Sequence, residues 1–267
     1  MSISIAGKTA IVTGAAHGVG LAIARHFVSE GANVMFADRN EEALDREVGK
    51  LAEKEGAVRV FAGDLRQKLT IKNLLSATVD AFDHIDILVN ASRQTMTTNP
   101  LDPEDTSVEQ LIEQNMMTAL RLSEAAAGRM IKLAGEDHEG PLGSIINLSS
   151  IAAHRTHPDL LALSVSAAAS DQMTRSLAVA LAPKLIRVNA VAFGSVMSAS
   201  LKDALREDDA SRSEILEGTP LGRIAGPGEV AHAVQYLASD AAGFVTGQIV
   251  TVDGGRSLVD AASTAHH

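Results

Sequence analysis

Short β-branched runs and helically periodic segments alternate from one end of this chain to the other, and that alternation limits the fold more than any other feature. Strand-like runs fall at Thr9–Val12, Asn33–Ala37, Val58–Ala62, Ile85–Val89, Ser144–Leu148, Arg187–Ala192 and Gln248–Val252. Between them the spacing of apolar residues predicts helices over Leu21–Ser29, Arg66–Phe82, Asp105–Leu133, Ala162–Ala182 and Gly228–Ser239, with one or two polar helices over Ser198–Glu217. Strands joined through helices return to the sheet by crossovers, so the expected class is α/β, with a parallel sheet of about seven strands and helices on both faces. The fourth run, Ile85 to Val89, is almost continuously apolar, as a strand covered on both faces requires. No internal repeat or linker breaks the pattern. One domain is expected over residues 1–258, with a helical lid at about 196–221 and a short tail at 259–267.

The turn after the first strand points to a bound ligand. Thr13-Gly14-Ala15-Ala16-His17-Gly18-Val19-Gly20 lies between a strand and a helix. Glycines there let the backbone turn tightly and approach a pyrophosphate, while the helix N-terminus offers free N–H groups and the positive end of its dipole. Asp38 closes the second strand, about 20 residues downstream, where a dinucleotide fold places an acid. Its carboxylate can accept hydrogen bonds from a ribose 2′-hydroxyl and repels a 2′-phosphate, which favours NAD over NADP. Arg39 beside it is the counter-indication, since a guanidinium suits a phosphate. The expectation is a single doubly wound Rossmann domain with NAD as its cofactor.

Composition excludes several classes. A net charge of −10 disfavours nucleic acid and anionic membranes as partners. No apolar run reaches the length of a membrane helix, and Met1-Ser2-Ile3-Ser4-Ile5 lacks the basic start of a signal peptide. With no cysteine there is neither disulfide nor thiolate chemistry, and a cytoplasmic protein is expected. The terminal His266-His267 pair is read as a frayed tail, and no metal site is expected.

Over essentially its whole length the chain resembles the short-chain dehydrogenase/reductase family. The glycine turn has that family's spacing. Asp64, with Leu65 after it, matches the position that contacts adenine. Asn90 opens the counterpart of the family's Asn-Asn-Ala-Gly motif, and Asn115 matches the helix asparagine of the catalytic tetrad. Ile145-Ile146-Asn147-Leu148-Ser149-Ser150 matches the fifth strand and places the catalytic serine at Ser150. Gly194 and Ser198 match the residues that embrace the nicotinamide, and Val252-Asp253-Gly254-Gly255 matches the C-terminal signature. The resemblance implies that Gly14, His17, Gly18, Val19, Gly20, Asp38, Arg39, Asp64, Leu65, Asn90, Gly194 and Ser198 line the cofactor site. It also implies a homo-oligomer, a dimer or tetramer paired through the helices near Asp105–Leu133 and Ala162–Ala182.

The pattern breaks at the chemistry. Thirteen residues past Ser150, where the family has its catalytic tyrosine, stands Leu163; four further, where it has lysine, stands Ala167. Ala91, Arg93 and Phe193 replace an asparagine, a glycine and a proline of the same surroundings. In the family mechanism the tyrosine hydroxyl exchanges a proton with the substrate oxygen, and the lysine lowers its pKa from about 10 and grips the nicotinamide ribose. Neither replacement can do this. The resemblance therefore implies an NAD(P)-dependent oxidoreductase scaffold whose catalysis is impaired or silent. The alternatives are an active enzyme with a displaced donor, His154 or His157, and a regulatory or scaffold subunit; the bland reading of the two histidines is a solvated loop. Arg93 has three readings: it pairs with a cofactor phosphate, anchors an acidic ligand, or obstructs the pocket. The small-molecule ligand is unknown, and the Val196–Leu221 segment reads equally as a lid or as a packed helix pair.

Overall fold

The computed structural model describes residues 2–49, 51, 56–135, 138–206 and 208–260. The terminal histidine pair lies outside the described residues. Seven strands form one parallel sheet in the order β3-β2-β1-β4-β5-β6-β7. They are β1 (Thr9–Thr13), β2 (Asn33–Asp38), β3 (Val58–Ala62), β4 (Ile87–Asn90), β5 (Gly143–Ser150), β6 (Ile186–Phe193) and β7 (Ile249–Val252). The helices are α1 (Gly18–Ser29), α2 (Glu41–Leu44), α3 (Lys68–Phe82), α4 (Ser107–Leu111), α5 (Thr118–Ala134), α6 (Leu161–Leu181), α7 (Ala199–Ala204), α8 (Asp209–Glu217) and α9 (Pro227–Ala238). The direction of winding reverses between β1 and β4, which opens a crevice at the carboxyl ends of the strands, where open α/β sheets bind ligands.

Each face of the sheet buries its own apolar layer. On one side Ile23 and Phe27 of α1 meet Val230, Val234 and Leu237 of α9 over Val12, Val34 and Val89. On the other, Ile71 and Leu74 of α3, Leu122 and Met130 of α5 and Ala178 of α6 cover Ile11, Leu88 and Ile145. A third, smaller cluster joins Leu111, Ala152, Ala162 and Leu163 beside the end of β5.

Two expectations need correction. The Asp105–Leu133 segment is not one regular helix: between α4 and α5 the hydrogen bonding widens to a π-turn over Ile112–Met117, and Asn115 sits in it. Such widened turns occur frequently at functional sites. The segment after β2, for which no helix is expected, forms α2 and a further π-turn over Asp45–Gly49. Asn40 starts it by accepting a hydrogen bond from Ala43 N at 3.0 Å. The polar stretch near Ser198–Glu217 resolves into the two helices α7 and α8.

Candidate nucleotide site and the cavity beyond it

The glycine turn is built by close approach. Gly14 has φ +64°, and a Cβ there would lie 2.8 Å from the Ala91 carbonyl oxygen. A Cβ on Gly20 would lie 2.2 Å from the Gly14 carbonyl oxygen, so neither position accepts a larger residue without moving backbone. Thr13 locks the same junction: its Oγ1 accepts from Ala91 N and Ser92 N, each at 3.0 Å. The first turn of α1 carries no acidic residue, and His17 at its N-cap makes no side-chain cap, so the N–H groups there are suited to an anion.

A cavity of about 270 Å³ lies over this turn. Of the expected residues it brings together Gly14, His17, Gly18, Val19, Gly20, Asp38, Arg39, Asp64 and Leu65. Asp38 is oriented by its own backbone neighbours. Its Oδ2 accepts from Ala16 N at 3.2 Å and its Oδ1 from Asn40 N at 3.0 Å, which leaves lone pairs for a ribose hydroxyl. Asp64 holds an ion pair with Arg66, and the Arg66 hydrogen bond keeps its carboxyl below the usual range. Ser92, Gln94, Thr95, Gln114 and Thr118 are among the other residues of the wall. Sequence reading misses these five; the nearest signal is the proximity of Gln114 to Asn115.

Three expected residues lie elsewhere than on this wall. Asn90 is buried, and its amide donates to Asn147 Oδ1 at 2.8 Å and Ser123 Oγ at 2.9 Å, tying β4 to β5 and α5. Gly194 packs against Ile151 and Asp253. Ser198 caps α7, accepting from Leu201 N at 3.3 Å.

Arg93 closes one end of the cavity. Its guanidinium donates to the Ser149 carbonyl oxygen at 2.6 Å and stacks on the Phe193 ring, 4.6 Å from the centroid. Burial pushes its pKa down to about 10, so it stays a cation at neutral pH. No carboxylate among the described residues pairs with it. The loop that carries it is clamped by Asn115, whose Oδ1 accepts from Gln94 N at 2.8 Å and whose Nδ2 donates to Gln94 O at 2.9 Å.

Beyond Arg93 the space almost vanishes. Ser150, Leu163, Ala167, Asn115, Ser166 and Arg93 itself line a cavity of about 10 Å³, at the limit of what one water needs. Ser150 Oγ accepts from Ala152 N at 3.2 Å. Leu163 is only 6% exposed and belongs to the third apolar cluster. Neither His154 nor His157 lines this cavity; both are exposed, and His157 Nδ1 accepts from Asp159 N at 3.3 Å within its own loop. The displaced-donor expectation therefore gains no contact here, since neither histidine lines the cavity beside Ser150.

The glycine turn, Asp38 and the Asp64–Leu65 corner can hold an adenosine and its pyrophosphate. At the opposite end Arg93 lies over Phe193, and the space beside Ser150, Leu163 and Ala167 is about 10 Å³. Among the described residues no group of three or more His, Asp or Glu is placed to hold a metal, and no helix is long and apolar enough to cross a membrane.

A doubly wound sheet with this glycine turn and an acid ending β2 defines a nucleotide-binding scaffold of the oxidoreductase type. Comparison with known proteins narrows the class. The family model described as enoyl-(acyl carrier protein) reductase matches residues 14–257. The 3-oxoacyl-(acyl-carrier-protein) reductase of Rickettsia conorii is 34% identical over 96% of this chain and 100% of its own length. The L-fucose dehydrogenase of Mus musculus is 34% identical over 94% of this chain and 89% of its own. A short-chain type dehydrogenase/reductase from Mycobacterium ulcerans superposes with a TM-score of 0.86 at 28% identity, covering 96% of this chain and 91% of that one. The chain belongs to the short-chain dehydrogenase/reductase family, whose members use nicotinamide cofactors.

Proposed function

We propose that this protein is a non-redox or redox-impaired member of its family that retains the adenine-nucleotide half of the cofactor site. One observation carries the reading: Leu163 is buried among Leu111, Ala152 and Ala162 beside Ser150, with Ala167 on the same small cavity. We read these two positions as the ones where relatives carry the proton-donating tyrosine and its lysine. Leucine has no exchangeable proton, and an alanine methyl neither lowers a pKa nor grips a ribose. The Ser150 hydroxyl remains, already accepting from Ala152 N, and is too weak an acid to replace a tuned phenol. Removing a positioned acid–base group costs about 10²–10⁴ in rate. At the other end, the buried Asp38 carboxylate supports a ligand with a free 2′-hydroxyl, and so NAD over NADP.

The expected result is no NADH oxidation above buffer across a panel of ketones, aldehydes and 3-oxoacyl thioesters. A rate above about 1 s⁻¹, ordinary for an enzyme, overturns the reading.

We also propose a homodimer or homotetramer. Val165 and Val179 on α6 are exposed, as is Phe244 before β7, and burial of such side chains is a common driver of assembly. Light scattering behind size exclusion should give two or four chain masses; a single chain mass refutes the assembly.

A further inference from the structure

The two halves of the site disagree, and Arg93 is the reason. The turn side offers about 270 Å³ and helix N–H groups suited to an anion. The far side is narrow, about 10 Å³, beside a guanidinium that donates to Ser149 O, sits 4.6 Å over the Phe193 ring centroid, and has no carboxylate partner among the described residues. An arginine carries five donors in a planar fork, so donors remain. Arg93 lines both the larger cavity and the smaller one, as Leu148 does, and the two side chains form the partition between them. A ligand that enters over the glycine turn meets a fixed positive charge where a dinucleotide would continue.

We propose that the site takes a nucleoside 5′-diphosphate with a free 2′-hydroxyl, ADP in the simplest case, and that Arg93 pairs with its terminal phosphate. The inference rests on the non-redox reading above and names the ligand class for the same cleft. Three features act together. Asp38 suits the 2′-hydroxyl and repels a phosphate there. The N-terminus of α1 suits the diphosphate, and the guanidinium supplies the counter-charge for the extra negative charge that a terminal phosphate carries and an internal pyrophosphate lacks. The placement is built in rather than accidental, because Asn115 pins the Gln94 backbone from both sides and thereby fixes the base of the Arg93 side chain. NAD binds the same cleft more weakly, since its nicotinamide riboside must first displace Arg93 from Ser149 O and Phe193.

The test is titration calorimetry on the wild-type protein with ADP, AMP, NAD⁺, NADP⁺ and inorganic pyrophosphate. ADP should bind at least about tenfold tighter than NAD⁺, AMP and pyrophosphate more weakly than ADP, and NADP⁺ weakest. Arg93→Gly should weaken ADP about tenfold to a hundredfold, as expected for loss of a charged hydrogen bond, and strengthen NAD⁺, reversing the order. Arg93→Lys, which keeps the charge without the planar fork, should fall between. NAD⁺ binding as tightly as ADP to the wild type overturns the inference without any variant. Pyrophosphate matching ADP overturns the nucleoside part, and an order unchanged in Arg93→Gly, with circular dichroism unaltered, overturns the role of the arginine. If ADP fails to win while NADH turnover stays absent, only this inference falls; NADH turnover by the wild type overturns it together with the non-redox reading.

Discussion

A protein carrying Arg93→Gly, Leu163→Tyr and Ala167→Lys together should reduce simple carbonyls with NADH at least about 10²-fold faster than the wild type, the lower bound for restoring positioned acid–base catalysis. The three changes are needed as a set. Leu163→Tyr alone would introduce a phenol with a pKa near 10 into an apolar cluster that raises it further, since burial disfavours the phenolate. Ala167→Lys supplies the charge that lowers it, but Ala167 faces the same small cavity as Arg93, so a lysine there would meet an existing cation. Glycine in place of Arg93 removes that repulsion and opens the partition. The double variant with Arg93 retained should therefore stay near background. A full rate in the double variant would show that Arg93 obstructs nothing. A triple variant that folds and binds NAD⁺ yet gives no rate would show that the loss of function extends beyond these three residues.

The architecture was readable because it rests on local signals. β-branched runs, glycine turns and apolar periodicity put seven strands in place to within a residue or two, and the parallel order follows from the crossovers. What stayed hidden depends on partners distant in the chain or on hydrogen-bond register. The π-turn at Ile112–Met117 leaves the composition of a helix unchanged, so the Asp105–Leu133 segment reads as uninterrupted. Glu41–Gly49 is short and charged, and its few buried side chains, Ala43, Leu44 and Val48, are too sparse to show a period. Asn90 reads as a cofactor contact from its motif, and its donations to Asn147 and Ser123 depend on distant partners that the motif does not show. Arg93 is conspicuous in sequence, but three fates were open to it. Ser149 and Phe193, far along the chain, decide its direction, and no local pattern encodes that choice.

Phe27→Ala should cost about 3–5 kcal/mol of stability, the range for deleting a buried phenylalanine side chain. At roughly 2–4 °C per kcal/mol for a chain of this size, the thermal midpoint should fall by about 6–20 °C. Phe27 is fully buried on α1 and belongs to the apolar layer where α1 meets α9, so the void cannot fill with solvent or with a surface side chain. The chain has no tryptophan, so far-UV circular dichroism or calorimetry at one fixed protein concentration is the suitable readout. The same helix presents its N-terminus at the glycine turn, so under the proposed function this packing supports the ligand site. A nucleotide that binds only the folded state, added at about 100 times its dissociation constant, should return about 2.7 kcal/mol and much of the lost midpoint. Recovery by ADP at concentrations where NAD⁺ gives little would place the stabilising contact on the turn side of Arg93. A loss below about 1 kcal/mol would mean that α1 resettles onto the sheet, and the layer between α1 and α9 would then not be what holds the glycine turn in place.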